Sequence, residues 1–146
     1  MEQIITETQS ETEELGKKIA KNLVGGDIVC LEGELGAGKT VLVKGIAAGL
    51  GIKAKITSPT FALMNVYTVT SLKSKVHSLI HIDTYRLKNK EELIEIGIED
   101  YLGKPDTICV IEWPEKVSGL LRDKNIKSIK LKLLNENENE REIVIE

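Results

Sequence analysis

The sequence predicts a single α/β domain that ends in a β-hairpin, on three observations. A strand-like apolar run at residues 28–31 leads through a glycine-rich loop into a helical stretch, the order of a βα unit. A second apolar run, at residues 107–112, has the continuous hydrophobicity of a buried strand. Apolar residues alternate with lysines at 129–133, and 141–145 returns as a last strand. The length fits one domain, residues 1–146.

The glycine-rich loop carries the most informative pattern in the chain. Its glycines, lysine and hydroxyl residue have the spacing of a Walker A phosphate loop. Glycines let backbone N–H groups approach an anion, and the positive end of the following helix adds to the attraction. We expect Lys39 to reach the β- and γ-phosphates and the Thr40 hydroxyl to bind Mg²⁺. The expected nucleotide contacts of the loop are Gly33, Gly36, Ala37, Gly38, Lys39, Thr40 and Val41.

The other elements are predicted from periodicity and from end signals. Ser10 and Glu13 form a capping box that opens a helix, which the glycines at 25–26 end; nothing of substance precedes it. The apolar stripe of this helix consists of Leu15, Ile19 and Leu23. Further along we predict a helix over 39–50, an extended segment over 61–69, a strand over 77–83, a short helix over 89–97 and, at the sheet edge, the C-terminal hairpin.

Two carboxylates follow apolar strands and are the candidate partners of the phosphate loop. Asp83 ends the run at 79–82, and Glu112 ends the run at 108–111. A phosphate-loop site needs a strand-end carboxylate to hold Mg²⁺ opposite Thr40. The local sequence leaves open which acid binds the metal and which orients the attacking water.

Composition restricts the class of protein. The net charge of −3 gives no reason to expect broad non-specific binding to nucleic acid. Cys30 and Cys109 lie in apolar runs without ligand spacing, so we predict two buried free thiols. The N-terminus has no apolar signal core, and no run approaches the roughly 20 apolar residues of a membrane span. We therefore expect a cytoplasmic protein without membrane contact.

Several polar and aromatic residues are open to two interpretations each. The loop at 58–60 is either a simple turn or a switch that senses the γ-phosphate. His81 either contacts the nucleotide or contacts a partner near Asp83, and Trp113 either stacks on a partner or base or packs at a strand end. Arg86 and Arg141 are either site residues or surface charges. The chain has no Asn-Lys-x-Asp run, which favours ATP over GTP, and shows no obvious arginine finger.

In combination, four motifs resemble the TsaE family, the small bacterial ATPases of tRNA threonylcarbamoyladenosine (t6A) biosynthesis. The resemblance covers nearly the whole chain. The motifs are, in order, Gly33-Glu34-Leu35-Gly36-Ala37-Gly38-Lys39-Thr40, Ser58-Pro59-Thr60-Phe61, His81-Ile82-Asp83-Thr84-Tyr85-Arg86 and Glu112-Trp113-Pro114.

The resemblance implies a P-loop NTPase-like fold, a mixed β-sheet flanked by helices. It also implies an ATPase that uses Mg²⁺-ATP, binds the TsaB–TsaD pair and resets that complex between turnovers, with tRNA held only through the complex. Position by position, it gives Glu112 as a magnesium contact and Asp83 as the switch-region acid. It places Gln9 and Arg141 near the adenine. The switch or partner residues that it implies are Ser58, Pro59, Thr60, His81, Tyr85, Arg86 and Trp113.

Two other functions use the same phosphate loop. A small-molecule kinase would need an acceptor pocket and a lid with several arginines, but no arginine lies between Arg86 and Arg122. A nucleotide-gated scaffold would bind ATP and hydrolyse it only incidentally. Without an arginine finger in the chain itself, we expect slow hydrolysis by the isolated protein and a marked rise when partners complete the site.

Overall fold

The computed structural model describes residues 1–59, 62–71, 73–134 and 139–146. Seven strands in these residues form one sheet. They are β1 (Glu2–Thr6), β2 (Asp27–Glu32), β3 (Met64–Thr68), β4 (Ser78–Asp83), β5 (Thr107–Glu112), β6 (Asn125–Leu133) and β7 (Arg141–Ile145). The helices are α1 (Gln9–Lys21), α2 (Lys39–Gly49) and α3 (Glu91–Glu95), with 3₁₀ segments at Ile98–Asp100 and Pro114–Leu120.

The sheet is mixed, as predicted. Its strand order is β1-β7-β6-β2-β5-β4-β3. The four central strands, β6, β2, β5 and β4, run parallel to one another. At one end β3 pairs antiparallel with β4, and at the other β7 and then β1 add antiparallel strands. The carboxyl ends of β2, β4 and β5 therefore meet at one edge, where ligands bind in open α/β sheets.

Each face of the sheet has its own apolar core. Alternate residues of β2 point to opposite faces, so Val29 and Leu31 pack under α1 and α2. Ile28 and Cys30 pack on the other side, under α3 and the two 3₁₀ segments. The central strands are buried on both faces, which explains their continuous apolar sequence. Among the described residues no helix is long and apolar enough to cross a membrane.

The capping box of α1 was predicted two residues too late. Thr8, not Ser10, is the N-cap, and its hydroxyl accepts a hydrogen bond from Glu11 N at 3.1 Å. The Glu11 carboxylate reaches back to Glu7 N at 2.7 Å, the role that had been given to Glu13. The same spacing of hydroxyl and acid occurs twice in succession, and the earlier copy caps the helix because the preceding strand ends at Thr6.

The N-terminus was also predicted wrongly. A strand does precede the first helix, because β1 pairs antiparallel with β7 in the register Glu2 to Ile145 and Thr6 to Arg141. The C-terminal hairpin of β6 and β7 is therefore one strand inside the sheet edge, with β6 paired to β2. The first helix ends at Lys21, before the glycines that had been assigned as its end.

Helices α1 and α2 pack closely enough that only glycine fits at their contact. A Cβ atom on Gly45 would lie 2.1 Å from the Glu13 carbonyl oxygen, and one on Gly16 would lie 2.5 Å from the Leu42 carbonyl oxygen. Because these neighbours are backbone atoms, they cannot rotate away. This contact sets how α2, and thus the loop before it, sits over the sheet.

Replacing Gly45 by alanine is expected to destabilise the protein by about 1–2 kcal/mol, because an overpacking cost of about 2–3 kcal/mol outweighs the gain of roughly 1 kcal/mol in helix propensity. Urea unfolding followed by circular dichroism measures the effect. Lys44→Ala, an exposed change in the same turn, serves as the control and should stay within about 0.5 kcal/mol of the unmodified chain. Equal stability of Gly45→Ala and Lys44→Ala would contradict the close packing.

Candidate nucleotide site

A cleft of about 300 Å³ opens where β2, β4 and β5 end. Eleven of the predicted site residues line this cleft: Gln9, Gly36, Gly38, Lys39, Thr40, Val41, Ser58, Asp83, Glu112, Trp113 and Arg141. Leu35, Asn139 and Thr12 also line the cleft and were not among the predicted site residues. Leu35 lies inside the loop motif, but Asn139 sits in a polar turn that gives no functional signal.

The backbone of the phosphate loop explains its glycines. A Cβ on Gly33 would lie 2.7 Å from the Leu131 carbonyl oxygen of the adjacent strand β6, so the loop can pass there only without a side chain. Gly38 has φ of 98°, a left-handed conformation that favours glycine, and it is the N-cap of α2. No side chain in the described part of the chain caps this helix. Its first N–H groups thus remain available for an anion.

Lys39 is held in the cleft by two contacts. Its Nζ donates a hydrogen bond to the Gly33 carbonyl oxygen and lies 3.7 Å from the centroid of the Trp113 ring. The side chain is 5% exposed, and desolvation lowers its pKa, although the charges of Glu112 and Asp83 act in the opposite direction. A buried ammonium group next to a phosphate loop is suited to receive an anion, which would restore its preference for the charged form.

The two strand-end carboxylates lie side by side. Asp83 of β4 is the register partner of Glu112 of β5. The Asp83 side chain accepts hydrogen bonds from the Ser58 hydroxyl at 3.3 Å and from Tyr85 N at 2.9 Å. Glu112 is 3% exposed, and its Oε2 lies 2.8 Å from His81 Nε2. Together with the Thr40 hydroxyl, these oxygens share one cleft and form a donor set that Mg²⁺ prefers.

Trp113 packs at the strand end, which is one of its two predicted interpretations, and it also lines the cleft. Its stacking on a partner or base stays a prediction. Its ring lies 5.2 Å from that of Tyr85. Its backbone is left-handed, with φ of 59°, which is rare for a large side chain. Thr84 Oγ1 lies 3.0 Å from the Glu112 carbonyl oxygen and 2.5 Å from the Trp113 carbonyl oxygen, and its single hydroxyl hydrogen is shared between these two acceptors, which supports this conformation. Thr84 is buried and was not predicted as a site residue.

Arg141 reaches the phosphate loop from β7, far away in sequence. Its Nε donates to the Ala37 carbonyl oxygen at 2.8 Å and its Nη2 donates to the Gly36 carbonyl oxygen at 3.2 Å. The residue is 7% exposed. The structure thus shows Arg141 supporting the loop backbone beside the cleft, while its contact with adenine stays a prediction, as does that of Gln9.

The other predicted residues lie around the cleft. Gly33 and Ala37 form part of the phosphate loop but face a neighbouring depression beside β6. His81 is fully buried behind Glu112. Thr60 and Phe61 lie outside the described residues. A second groove of about 260 Å³ adjoins the cleft and collects the predicted switch residues Ser58, Pro59, Asp83, Tyr85 and Arg86 next to Leu35.

Comparisons with known proteins show the family of the chain. The family model of the threonylcarbamoyl adenosine biosynthesis protein TsaE matches residues 6–143. The chain belongs to the TsaE family. Its phosphate loop, both strand-end acids and Arg141 all lie within the matched range.

Individual TsaE proteins are similar over most of the chain. A "tRNA threonylcarbamoyladenosine biosynthesis protein TsaE" of Treponema pallidum is 38% identical over 89% of this chain and 90% of the relative. One of Streptomyces coelicolor is 42% identical over 76% of this chain and 73% of the relative. The crystal structure of Bacillus subtilis YdiB superposes with a TM-score of 0.70 at 30% identity, covering 99% of this chain and 83% of that one. The solved structure shares the fold over nearly the whole of this chain.

Replacing Arg141 by alanine should loosen the phosphate loop. Each of the two hydrogen bonds from the buried guanidinium to the loop contributes roughly 1.5–3 kcal/mol, so we expect the free energy of unfolding to fall by about 3–6 kcal/mol and ATP affinity to fall about tenfold. Denaturant unfolding and calorimetric titration measure the two effects. Arg122→Ala, which removes an exposed arginine, should change neither. Unchanged ATP affinity in Arg141→Ala would separate this residue from the loop's function.

The two cysteines are free and buried, as predicted. Burial raises the pKa of Cys30 to about 11 and that of Cys109 to about 12. Both thiols therefore stay protonated at pH 8, and the thiolate is the reactive form. We expect neither to react with a disulfide reagent in the native protein at pH 8, and both to react in guanidinium. Fast native labelling would contradict their burial.

The same pKa shifts link stability to alkaline pH. The unfolded chain loses its thiol protons near the usual pKa of about 8.5, before the folded chain does. Stability from this source is thus complete below that pH and declines as the pH rises toward 11 and 12.

Proposed function

We propose that this protein is a magnesium-dependent ATPase that acts in t6A modification of tRNA together with TsaB and TsaD. One observation carries the proposal. Lys39 and Thr40 of the phosphate loop share a single cleft with the carboxylates of Asp83 and Glu112, which end two neighbouring parallel strands. Membership of the TsaE family supports the assignment to t6A biosynthesis.

The phosphate loop supplies the binding step. Backbone N–H groups at the start of α2 take the phosphate oxygens, and Lys39 exchanges its contacts with Gly33 and Trp113 for the β- and γ-phosphates. Because the ammonium group is already desolvated, little water has to be removed from it when the nucleotide binds. Mg²⁺, held by Thr40 and one of the two acids, would neutralise charge on the phosphates.

The hydrolytic step needs a water molecule in line with the γ-phosphate. Asp83 and Glu112 lie at the right strand ends, and whichever acid does not hold the metal orients this water. Ser58 ties the switch loop to Asp83, so that a change at the γ-phosphate can be transmitted to the loop. Arg141 is engaged by loop carbonyls and supports the loop rather than acting as an arginine finger.

Partner binding is proposed to complete this site. Leu35 and Tyr85 are 64% and 46% exposed beside the second groove, next to the switch residues. Exposed apolar side chains next to a nucleotide site are typical of a surface that a partner covers. A partner seated there would contact both the switch loop and the rim of the cleft. We therefore expect slow hydrolysis by the isolated chain and faster hydrolysis in the complex.

The direct test is ATP hydrolysis by the purified protein, alone and with the TsaB–TsaD pair. Stimulation by at least an order of magnitude is expected, because a partner group that completes the site contributes about 10³–10⁵-fold in other enzymes of this class. Leu35→Ser with Tyr85→Ala should lower the stimulated rate by a much larger factor than the basal rate. Equal rates with and without the pair would instead favour a self-sufficient ATPase or a kinase.

Resetting of the complex is the role proposed for hydrolysis. A variant that binds ATP without hydrolysing it should still support one round of tRNA modification by the assembled proteins and fail in multiple rounds. If that variant sustains multiple rounds, the protein is a nucleotide-gated scaffold and its hydrolysis is incidental. If even the first round fails, hydrolysis drives the modification step itself.

A further inference from the structure

His81 occupies a position that apolar residues otherwise fill. Its strand neighbours Leu79, Ile80 and Ile82 are fully buried, and His81 is 0% exposed. Its Nε2 lies 2.8 Å from Glu112 Oε2, while its Nδ1 is buried with no hydrogen-bond partner among the described residues. An unpartnered buried polar atom destabilises a fold. An aliphatic side chain would avoid that cost, so the stability of β4 does not account for a histidine here.

The contact with Glu112 accounts for a histidine at this buried position. A carboxylate can only accept hydrogen bonds, so Nε2 carries the hydrogen in this pair. Oε2 therefore accepts the hydrogen bond from His81. The other oxygen of the same carboxylate remains for a metal ion or water molecule in the cleft that Glu112 lines. Second partners of this kind fix the rotamer of an acid that binds a metal or a water molecule.

We propose that His81 is a positioning residue that holds the Glu112 carboxylate in the orientation needed for ATP hydrolysis. The inference rests on the proposed function, since it assigns His81 a part in the same reaction. His81 does not line the cleft, so it acts through Glu112 and makes no contact with the nucleotide. Asp83 has different partners, Ser58 and Tyr85, and its orientation is independent of the histidine.

Kinetics of three variants test the proposal. His81→Leu should lower kcat about 10–100-fold, the usual effect of removing a second-layer partner, and should leave the Kd for a non-hydrolysable ATP analogue within about threefold. His81→Gln places an amide N–H near the position of Nε2 and should restore most of kcat. Thermal unfolding of each variant shows whether it is folded. His77→Gln, at an exposed histidine of the same chain, should match the unmodified protein.

Coupling to Glu112 distinguishes positioning from a general structural role. If His81 acts through this acid, adding His81→Leu to Glu112→Gln should reduce kcat no further, whereas independent effects would multiply. A full additional loss in the double variant overturns the proposal. So does a His81→Leu variant with kcat within twofold of the unmodified protein, or a folded His81→Gln variant as defective as His81→Leu.

A spectroscopic measurement tests the contact without nucleotide or metal. In a ¹⁵N-edited NMR spectrum, the buried Nε2–H of His81 should give a slowly exchanging imidazole signal, and the exposed His77 should give none. The signal should disappear in His81→Gln and shift in Glu112→Gln. Its absence from the unmodified protein contradicts the hydrogen bond. An unmodified protein that shows the signal and does not hydrolyse ATP, alone or with TsaB–TsaD, refutes the proposed function and with it the role in hydrolysis, while the contact itself stands.

Discussion

Replacement of Lys39 by alanine is expected to reduce ATP hydrolysis by about 10²–10³-fold, the effect of removing one preorganised charge from a transition state. The ammonium group is the cation that the loop places within the cleft, and its present contacts, the Gly33 carbonyl and the Trp113 ring, are weak competitors for a phosphate. ATP binding should weaken as well, because the same charge neutralises the ground-state phosphates. Steady-state kinetics and calorimetric titration measure both effects.

The stability of a second variant at this position, Lys39→Met, provides an independent check. Desolvation lowers the pKa of Lys39. Burying this charge therefore reduces the stability of the folded protein, and the need for a cation at the phosphate loop explains why it is buried. Lys39→Met keeps the apolar stem and removes the charge, and should unfold at the same temperature as the unmodified protein or higher. Lys44→Ala, on the exposed face of the same helix, should hydrolyse ATP normally. Hydrolysis by Lys39→Ala within threefold of normal contradicts a catalytic role for the loop.

Replacement of Glu112 by glutamine is expected to reduce hydrolysis by a similar factor, about 10²–10³, with ATP affinity changed little. Glutamine keeps an oxygen that can accept the hydrogen bond from His81 Nε2, so the fold and the cleft persist while the negative charge is lost. Glu115→Gln, at an exposed acid of the following 3₁₀ segment, is the matched control.

Comparison of Glu112→Gln with Asp83→Asn assigns the two acids. The variant whose half-maximal Mg²⁺ concentration rises has lost the metal ligand. The variant that keeps a normal Mg²⁺ dependence and has a lower kcat has lost the residue that orients water. Normal hydrolysis by both variants would contradict the proposed site as a whole.

Local patterns in the sequence predicted the centre of the site. The phosphate loop, helix α2 and the ends of β4 and β5 each depend on residues that are neighbours in the chain. Glycine spacing, apolar runs and strand-end acids therefore reveal them directly. The parallel pairing of β2 with β5 and of β5 with β4 then brings Lys39, Asp83 and Glu112 to one edge of the sheet, as the predicted fold class requires.

Contacts between distant residues could not be read from these patterns. Arg141 meets Gly36 and Ala37 across more than a hundred residues of chain, and nothing near Arg141 signals a loop contact. Strand β1 was missed because its five residues form a strand by pairing with β7, which is distant in the sequence. The pair of His81 and Glu112 depends on the register of β4 against β5, which no local pattern fixes.

Calorimetric titration of the purified protein with ATP in the presence of Mg²⁺ tests the central claim most directly. We expect saturable binding of one ATP per chain, at least about tenfold stronger than that of GTP, which corresponds to about 1.4 kcal/mol. The binding should be lost or strongly weakened in Lys39→Ala. Absence of binding, or binding that Lys39→Ala leaves unchanged, would show that the cleft at the phosphate loop is not the nucleotide site.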